Sequence, residues 1–419
     1  MSYKTYEKYK NSNVEWIGDI PIHWQTNRFK IVFSYSKGKN PQTFFDDPGE
    51  GLAPYLSMEY LRNDIAPTYV PIKECPLKAN NGDLLLLWDG SNAGEFVVSK
   101  EGLVSSTMAK LKPNIIIDND FYKYVCKAFE LLLRELTIGM GVPHVSSLEL
   151  NNILLPAIPL EEQQQIANYL DKKTAKIDAT IAKNEELIQL LEEKRVALIN
   201  QVVTKGLNPD VPMKDSGVEW IGEIPEHWDV VKLKFCTNVI NDKKDFADKD
   251  DKYIGLEHIE SETGILLDYS NEGADGTVNK FKKDMVLFGK LRPYLAKVIN
   301  TSFNGVCSTE LLVFKTNESL LSRYLFYFML SNRFIEQVNS STYGVKMPRA
   351  SPDFINSLPI ALPNTNEQKE VVDYLDSEIT NINNTILKIK ENIALLEEYK
   401  TSLIHHVVTG KIDVRGEEI

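Results

Sequence analysis

The sequence predicts a mixed α/β (α+β) fold: two globular regions separated by an antiparallel coiled coil of two long helices, pseudo-twofold and nearly circular. Three observations predict it. The stretch VEWIGDIPIHW at 14–24 returns as VEWIGEIPEHW at 218–228, with nine of eleven positions identical at a shift of 204. A long variable stretch follows each copy. Each variable stretch leads into a segment whose apolar residues recur every three or four positions. The same parts in the same order, given twice, mark a duplicated architecture.

The motif comes first in each copy. Its W-x₇-W spacing with interleaved Ile and Pro reads as an anchor that packs one segment onto a core. Trp16, Trp24, Trp220 and Trp228 are assigned that role rather than base stacking, and His23 and His227 are expected to be hydrogen-bonded beside them.

The variable stretches, 25–155 and 229–360, read as mixed globules large enough to fold alone. Strand-like runs include DLLLLW at 83–88, MVLFG at 285–289 and LLVFK at 311–315. One helical segment is expected in each, over 121–136 and 322–338. SST at 105–107 is matched with CST at 307–309.

The long helices come next. In the first, Leu170, Ile177, Ile181, Asn184, Ile188, Leu191 and Leu198 fall on one stripe; in the second, Leu375, Ile382, Ile386, Ile389, Ile393, Leu396 and Leu403 do. Steps alternating three and four give the 3.5-residue period of a coiled-coil seam. Each helix is expected to run about 40 residues, or about 60 Å. One apolar stripe needs a partner, and the other copy is the simplest one. Asn184 interrupts the first stripe where Ile389 stands in the second. It either fixes register or is tolerated near solvent.

These parts set the boundaries: a first globule over 1–158, a first spacer helix over 159–206 and a linker over 207–217. A second globule over 218–362, a second spacer helix over 363–411 and a tail over 412–419 complete the chain. The tail is expected to point back toward the N-terminus.

Composition bounds the function. The 419 residues are 43% hydrophobic and 25% charged, as in an ordinary globular protein. No apolar run approaches the ~20 residues of a membrane span, and MSYKTYEKYK lacks the apolar core of a signal peptide. The scattered Cys75, Cys126, Cys236 and Cys307 are expected to be free thiols in a reducing cytoplasm. A net charge of −12 disfavours unaided binding to nucleic acid but leaves room for a local basic surface.

Candidate contacts to a polyanion lie on loops. In the second globule they are Lys280, Lys282 and Lys283, then Lys290, Arg292, Tyr294 and Lys297 within GKLRPYLAK, and Lys346 with Arg349. Arg suits guanine edges and Lys suits phosphate. In the first globule WDGSNAGE, 88–95, offers Asp89, Ser91 and Asn92 on a turn. No phosphate-binding loop, dinucleotide fingerprint, methyltransferase Pro-Pro motif, HExxH, GxSxG or metal spacing is found, so neither a catalytic residue nor a metal site is assigned. The His405–His406 pair reads as a favourable contact with the helix C-terminus.

The order of a VEWIGxIPxHW motif, a variable globule and an EQ…YLD…LLEEK…VVTG helix, given twice, resembles the specificity subunit of type I restriction–modification systems. GKLRPYL and GVCSTELLVF resemble that family's target-recognition domains. The resemblance implies a non-catalytic subunit that binds a bipartite, asymmetric site on double-stranded DNA. It further implies two adenine methyltransferase partners, with a translocating restriction subunit as a further possible one. S-adenosylmethionine, ATP and magnesium are then expected on the partners, none on this chain. Two other readings stand beside it: a DNA methyltransferase or nuclease with an unrecognised site, and a coiled-coil protein-interaction adaptor.

Overall fold

A computed structural model describes residues 3–416 except 64, 140, 246–251, 268–275, 343 and 345. The chain divides into two compact units, Met1–Lys183 with Asn392–Ile419, and Asn184–Glu391. Both chain ends therefore belong to one unit. Among the described residues no helix is long and apolar enough to cross a membrane.

Each tryptophan motif is folded by a short antiparallel hairpin, Tyr9–Asn11 with Asp19–Pro21 in one unit and Met213–Asp215 with Glu223–Pro225 in the other. The strand after it, Gln25–Arg28 or Asp229–Lys232, pairs with the strand just before the long helix, Leu154–Ala157 or Pro359–Leu362. Motif and helix start are thus brought together. Trp24 and Trp228 are fully buried there.

A carboxylate in the first turn of each long helix closes this junction. Glu162 Oε1 accepts from Trp24 Nε1 at 3.1 Å and from Tyr6 Oη at 2.8 Å, and Oε2 lies 2.9 Å from His23 Nε2. In the other unit Glu367 accepts from Trp228 Nε1 and pairs with His227 Nε2, both at 2.9 Å. Burial, reinforced by the Glu162 charge, pushes the Tyr6 hydroxyl far above its ordinary pKa, so it stays a donor. The next residue does a second job. Gln163 accepts from Asp118 N, holding the start of the globule's helix, and Gln368 accepts from Leu321 N in the same way.

The C-terminal end of each long helix covers the motif of the other copy. Gly410, at φ +75°, lies so close to Pro21 and Trp24 that an added Cβ would stand 2.4 Å and 3.0 Å from them. Gly206, at φ +70°, leaves 3.2 Å to Trp228. The tail continues past Gly410 onto the N-terminal segment. Asp413 N donates to Lys4 O at 2.8 Å, and Arg415 holds Asp413 at 2.9 Å and stacks over the Tyr6 ring.

Among the described residues each globule contains two four-stranded sheets. In the first, Phe33–Lys37, Met108–Pro113, Leu84–Leu87 and Phe96–Val98 lie side by side in that order; Thr237–Ile240, Leu311–Thr316, Val286–Gly289 and Val298–Asn300 repeat the order in the second. The other sheets share three strands. Gly102–Val104 runs parallel to Leu52–Leu56 and antiparallel to Lys78–Ala79, as Gly305–Ser308 does with Tyr253–Ile254 and Thr277–Phe281. A fourth strand joins opposite edges: Tyr69–Pro71 beside Leu52–Leu56, but Lys243–Asp245 beside Thr277–Phe281. The pairing Val104↔Leu56 matches Cys307↔Ile254, so Ser105 corresponds to Ser308, one residue from the expected match.

The single helical segments expected in the globules are each broken in two. Asn119–Ala128 and Glu130–Glu135 are separated at Phe129, and Ser322–Leu330 and Asn332–Ser340 at Ser331. Ser331 is extended, and its hydroxyl donates to Phe328 O, which ends the first helix locally.

The long helices span Leu160–Lys205 and Thr365–Val408. Every stripe residue predicted above is buried or half-buried, whereas Leu187, Leu190, Leu387 and Leu395, off the stripe, are exposed. The stripe's polar residues mostly find partners within their own unit. Arg195 Nη1 donates to Asn383 Oδ1 at 3.0 Å in one unit, and Lys400 Nζ donates to Asp178 Oδ1 at 2.6 Å in the other. Thr174 lies 3.1 Å from the Tyr124 hydroxyl. Asn184 differs: its buried Nδ2 has no partner among the described residues.

Glu162→Ala is expected to cost about 2–4 kcal/mol, because buried donors lose a charged acceptor. Glu367→Ala should cost less, since its side chain is 22% exposed against 7% for Glu162. Urea denaturation followed by tryptophan fluorescence measures both, and a larger loss for Glu367 would refute the ranking.

Candidate nucleic-acid interface

The candidate residues near 90 and near 292 sit on equivalent loops. Each connects the third strand of the four-stranded sheet to its edge strand, over 88–95 and 290–297. Leu87 N donates to Glu95 O at 2.8 Å, and Gly289 N to Lys297 O at 2.9 Å. Ala93 N donates to Gly90 O and Leu295 N to Arg292 O, both at 2.9 Å. Every equivalent residue is displaced by 202.

A returning segment braces each loop from outside. Gly90 N donates to Pro143 O and Val145 N to Trp88 O, each at 2.9 Å. Arg292 N donates to Pro348 O at 2.8 Å and Ala350 N to Lys290 O at 2.9 Å. These four bonds satisfy five backbone groups in each loop without help from side chains. The loop outline is fixed by the main chain, and its side chains are left to differ.

Their partners sort the candidates. Asp89 is bound to Lys37 Nζ at 2.7 Å, and Lys37 also lies over the Trp88 ring. Lys297 Nζ donates inward to Leu256 O at 2.7 Å and Ile259 O at 2.9 Å. Arg349 forms a two-pronged pair with Glu310, both contacts at 3.2 Å. Lys280 lies 3.6 Å from Asp242, an exposed pair of small worth. Lys280 belongs to Thr277–Phe281, with Lys282 and Lys283 just after it, on the other sheet.

Ser91 and Asn92 on the first loop, and Lys290, Arg292, Tyr294 and Lys346 around the second, have side chains with no partner among the described residues. Arg292 and Lys346 are exposed, and so is Tyr294. Bonds between 290–292 and 348–350 bring Lys290 and Arg292 beside the segment that carries Lys346 and Arg349. Lys37, His144 and Glu310 were not foreseen. The glycine-containing stretches GMGVPHVSS, 139–147, and YGVKMPRAS, 343–351, are the sequence signal that marks the bracing segments.

Neither histidine pair nor cysteine forms a site. His405 Nε2 lies 3.0 Å from Trp16 O and His406 Nδ1 3.1 Å from Ser402 Oγ. All four cysteines are free and buried. Burial pushes the Cys307 thiol up to about 12. Among the described residues no group of three or more His, Cys, Asp or Glu side chains is placed to hold a metal ion.

The family model for the type I restriction modification DNA specificity domain matches twice, over residues 21–189 and 225–395. The chain belongs to the type I restriction–modification specificity family. Among curated proteins, the MjaVIII specificity subunit of Methanocaldococcus jannaschii is 32% identical over 414 residues, covering 95% of each chain. The EcoDI specificity subunit of Escherichia coli is 22% identical over 398 residues, covering 89% of this chain and 86% of its own.

Solved structures agree on the fold of this specificity subunit. One chain, from work on complex assembly and conformational transition of the type I R-M system, aligns at a TM-score of 0.70 and 15% identity, over 94% of this chain and 99% of its own. The HsdS subunit from Thermoanaerobacter tengcongensis aligns at 0.53 and 14%, over 94% and 98%. Specificity subunits are the non-catalytic components of their enzymes, so the readings of this chain as a methyltransferase, a nuclease or a plain adaptor are not favoured.

Lys297→Met removes the donor of two carbonyls and is expected to lower stability by about 1–3 kcal/mol. Lys290→Ala should leave stability within about 0.5 kcal/mol. Thermal denaturation separates them, and the opposite ranking would exchange their structural and contact roles.

Proposed function

We propose that this specificity subunit reads a bipartite, asymmetric DNA site, one half with each globule. The observation that carries the reading is the pair of loops with one main-chain outline and unrelated side chains. Identical outlines suit two presentations to a duplex whose backbone is itself twofold, and different side chains suit two different half-sites. The unpartnered Ser91, Asn92, Lys290, Arg292, Tyr294 and Lys346 are the contact candidates favoured here. Asp89, Lys280, Lys282, Lys283, Lys297 and Arg349 follow them as residues held elsewhere or on the second sheet.

The long helices act as the spacer, joined as an antiparallel coiled coil. The buried stripes and the matched pairs Asp178–Lys400 and Arg195–Asn383 support this. Bonds between the tail and residues 4–6 support a nearly circular, pseudo-twofold course of the chain. The subunit carries two adenine methyltransferase subunits, and a restriction subunit joins them. S-adenosylmethionine, ATP and magnesium reside on those partners, in the cytoplasm. The net charge of −12 fits DNA affinity completed by partners.

Exchanging residues 25–155 for those of a relative with another specificity should rewrite one half-site and spare the other. Sequencing of methylated adenines in a host carrying the subunit and its methyltransferase reads this out. Change in both halves, or in neither, would defeat the two-reader assignment. Inserting four residues after Leu191 should alter the gap between half-sites whose centres lie about 10 base pairs apart. An unaltered gap would remove the helices as the ruler.

A further inference from the structure

The matched loops exchange glycine for another residue at two left-handed positions, Gly90 for Arg292 and Gly94 for Ala296, and only the first exchange brings in a polar group. Residue 90 of the first loop and residue 292 of the second occupy the same place. Both are left-handed, Gly90 at φ +105° and Arg292 at φ +50°, ψ +61°. The main chain imposes this conformation, because the N–H and C=O of each are bound by the same two partners, Pro143 and Ala93 or Pro348 and Leu295.

Glycine adopts that region freely. A side chain there costs about 1 kcal/mol or more. Asn or Asp offset part of the cost by bonding to their own backbone, but arginine has no such local compensation. The proline that follows, Pro293, restricts the preceding residue further. Ala296, at φ +45°, bears the same strain with only a methyl, so strain alone does not mark a role; Arg292 differs in carrying a functional group that needs a task. Within the chain it has none: the guanidinium is exposed and has no ion pair, hydrogen bond or ring contact among the described residues.

The geometry therefore assigns Arg292 as a specificity-determining residue of the second half-site, donating its planar fork to the O6 and N7 of a guanine in the major groove. Gly90 leaves the first globule without a counterpart. This rests on the proposal that the second globule reads DNA, and it names the residue and the base. A phosphate can also take the fork two-pronged, but it carries no sequence information and is reached from many side-chain directions. A base edge needs the fork fixed in both position and plane.

The test uses the full subunit assembled with its methyltransferase partners and compares the parent with R292G, R292A and R292K. R292G should unfold no earlier than the parent, because glycine relieves the left-handed strain. At one guanine of the second half-site its discrimination should fall by about 10- to 100-fold, with the first half-site untouched. R292K should relax the same position, since a point charge lacks the fork.

A uniform loss of affinity for all sequences, with a shallower salt dependence, would make Arg292 a phosphate contact and overturn the assignment. So would unchanged discrimination in all three variants. Either result leaves the two-reader proposal standing if exchange of 25–155 still rewrites the first half-site alone. If the parent complex protects only one half-site from nuclease, that proposal itself fails.

Discussion

Much of the architecture depends on one carboxylate per copy, buried in the first and half-buried in the second. Glu162 and Glu367 sit in the first turn of the long helices, where the positive end of the helix dipole favours an acid. Each accepts an indole and an imidazole from the tryptophan motif, bonds worth about 1.5–3 kcal/mol apiece to a charged group. The neighbouring glutamine holds the globule's own helix. Two adjacent residues thereby join motif, globule and helix at one point. The eleven-residue repeat exists because its His and Trp have to reach that carboxylate twice.

Above this junction the two copies keep the main chain and change the side chains. The paired four-stranded sheets that carry the loops have the same strand order, and the loops over 88–95 and 290–297 share their internal bonds and their bracing segments. Among the described residues the copies diverge in loop side chains and also in the fourth strand of the second sheet, which joins opposite edges in the two globules. A frame built mainly from backbone bonds tolerates such substitution, with Lys297 the loop side chain that also ties the outline to the fold.

The sequence was most legible where physics ties residue type to position. A 3.5-residue period leaves few options, and every predicted stripe residue is sheltered. The tryptophan motif was legible as an anchor, although its partner carboxylates were visible only as part of a repeated Glu-Gln. The matched loops over 88–95 and 290–297 were opaque. WDGSNAGE and KLRPYLAK are identical at no equivalent position, because their common shape is written in peptide groups that every residue carries. Lys297 and Lys290 look alike in a sequence, and only the carbonyls of Leu256 and Ile259 distinguish an inward ammonium from an outward one. The helical runs through Phe129 and Ser331 looked continuous because apolar periodicity persists across both breaks.

Each tryptophan motif is roofed by the helix end of its sister copy: Trp24 by Gly410, and Trp228 by Gly206. Neither half is self-sufficient. A gene shortened to one copy would yield a chain with a bare indole face and a helix end with nothing to cover, complementary to each other across two molecules. Duplication of this kind is hard to reverse by simple deletion, while the globules between the anchors remain free to be traded. Inheritance is thus conservative in the fasteners and permissive in the cargo.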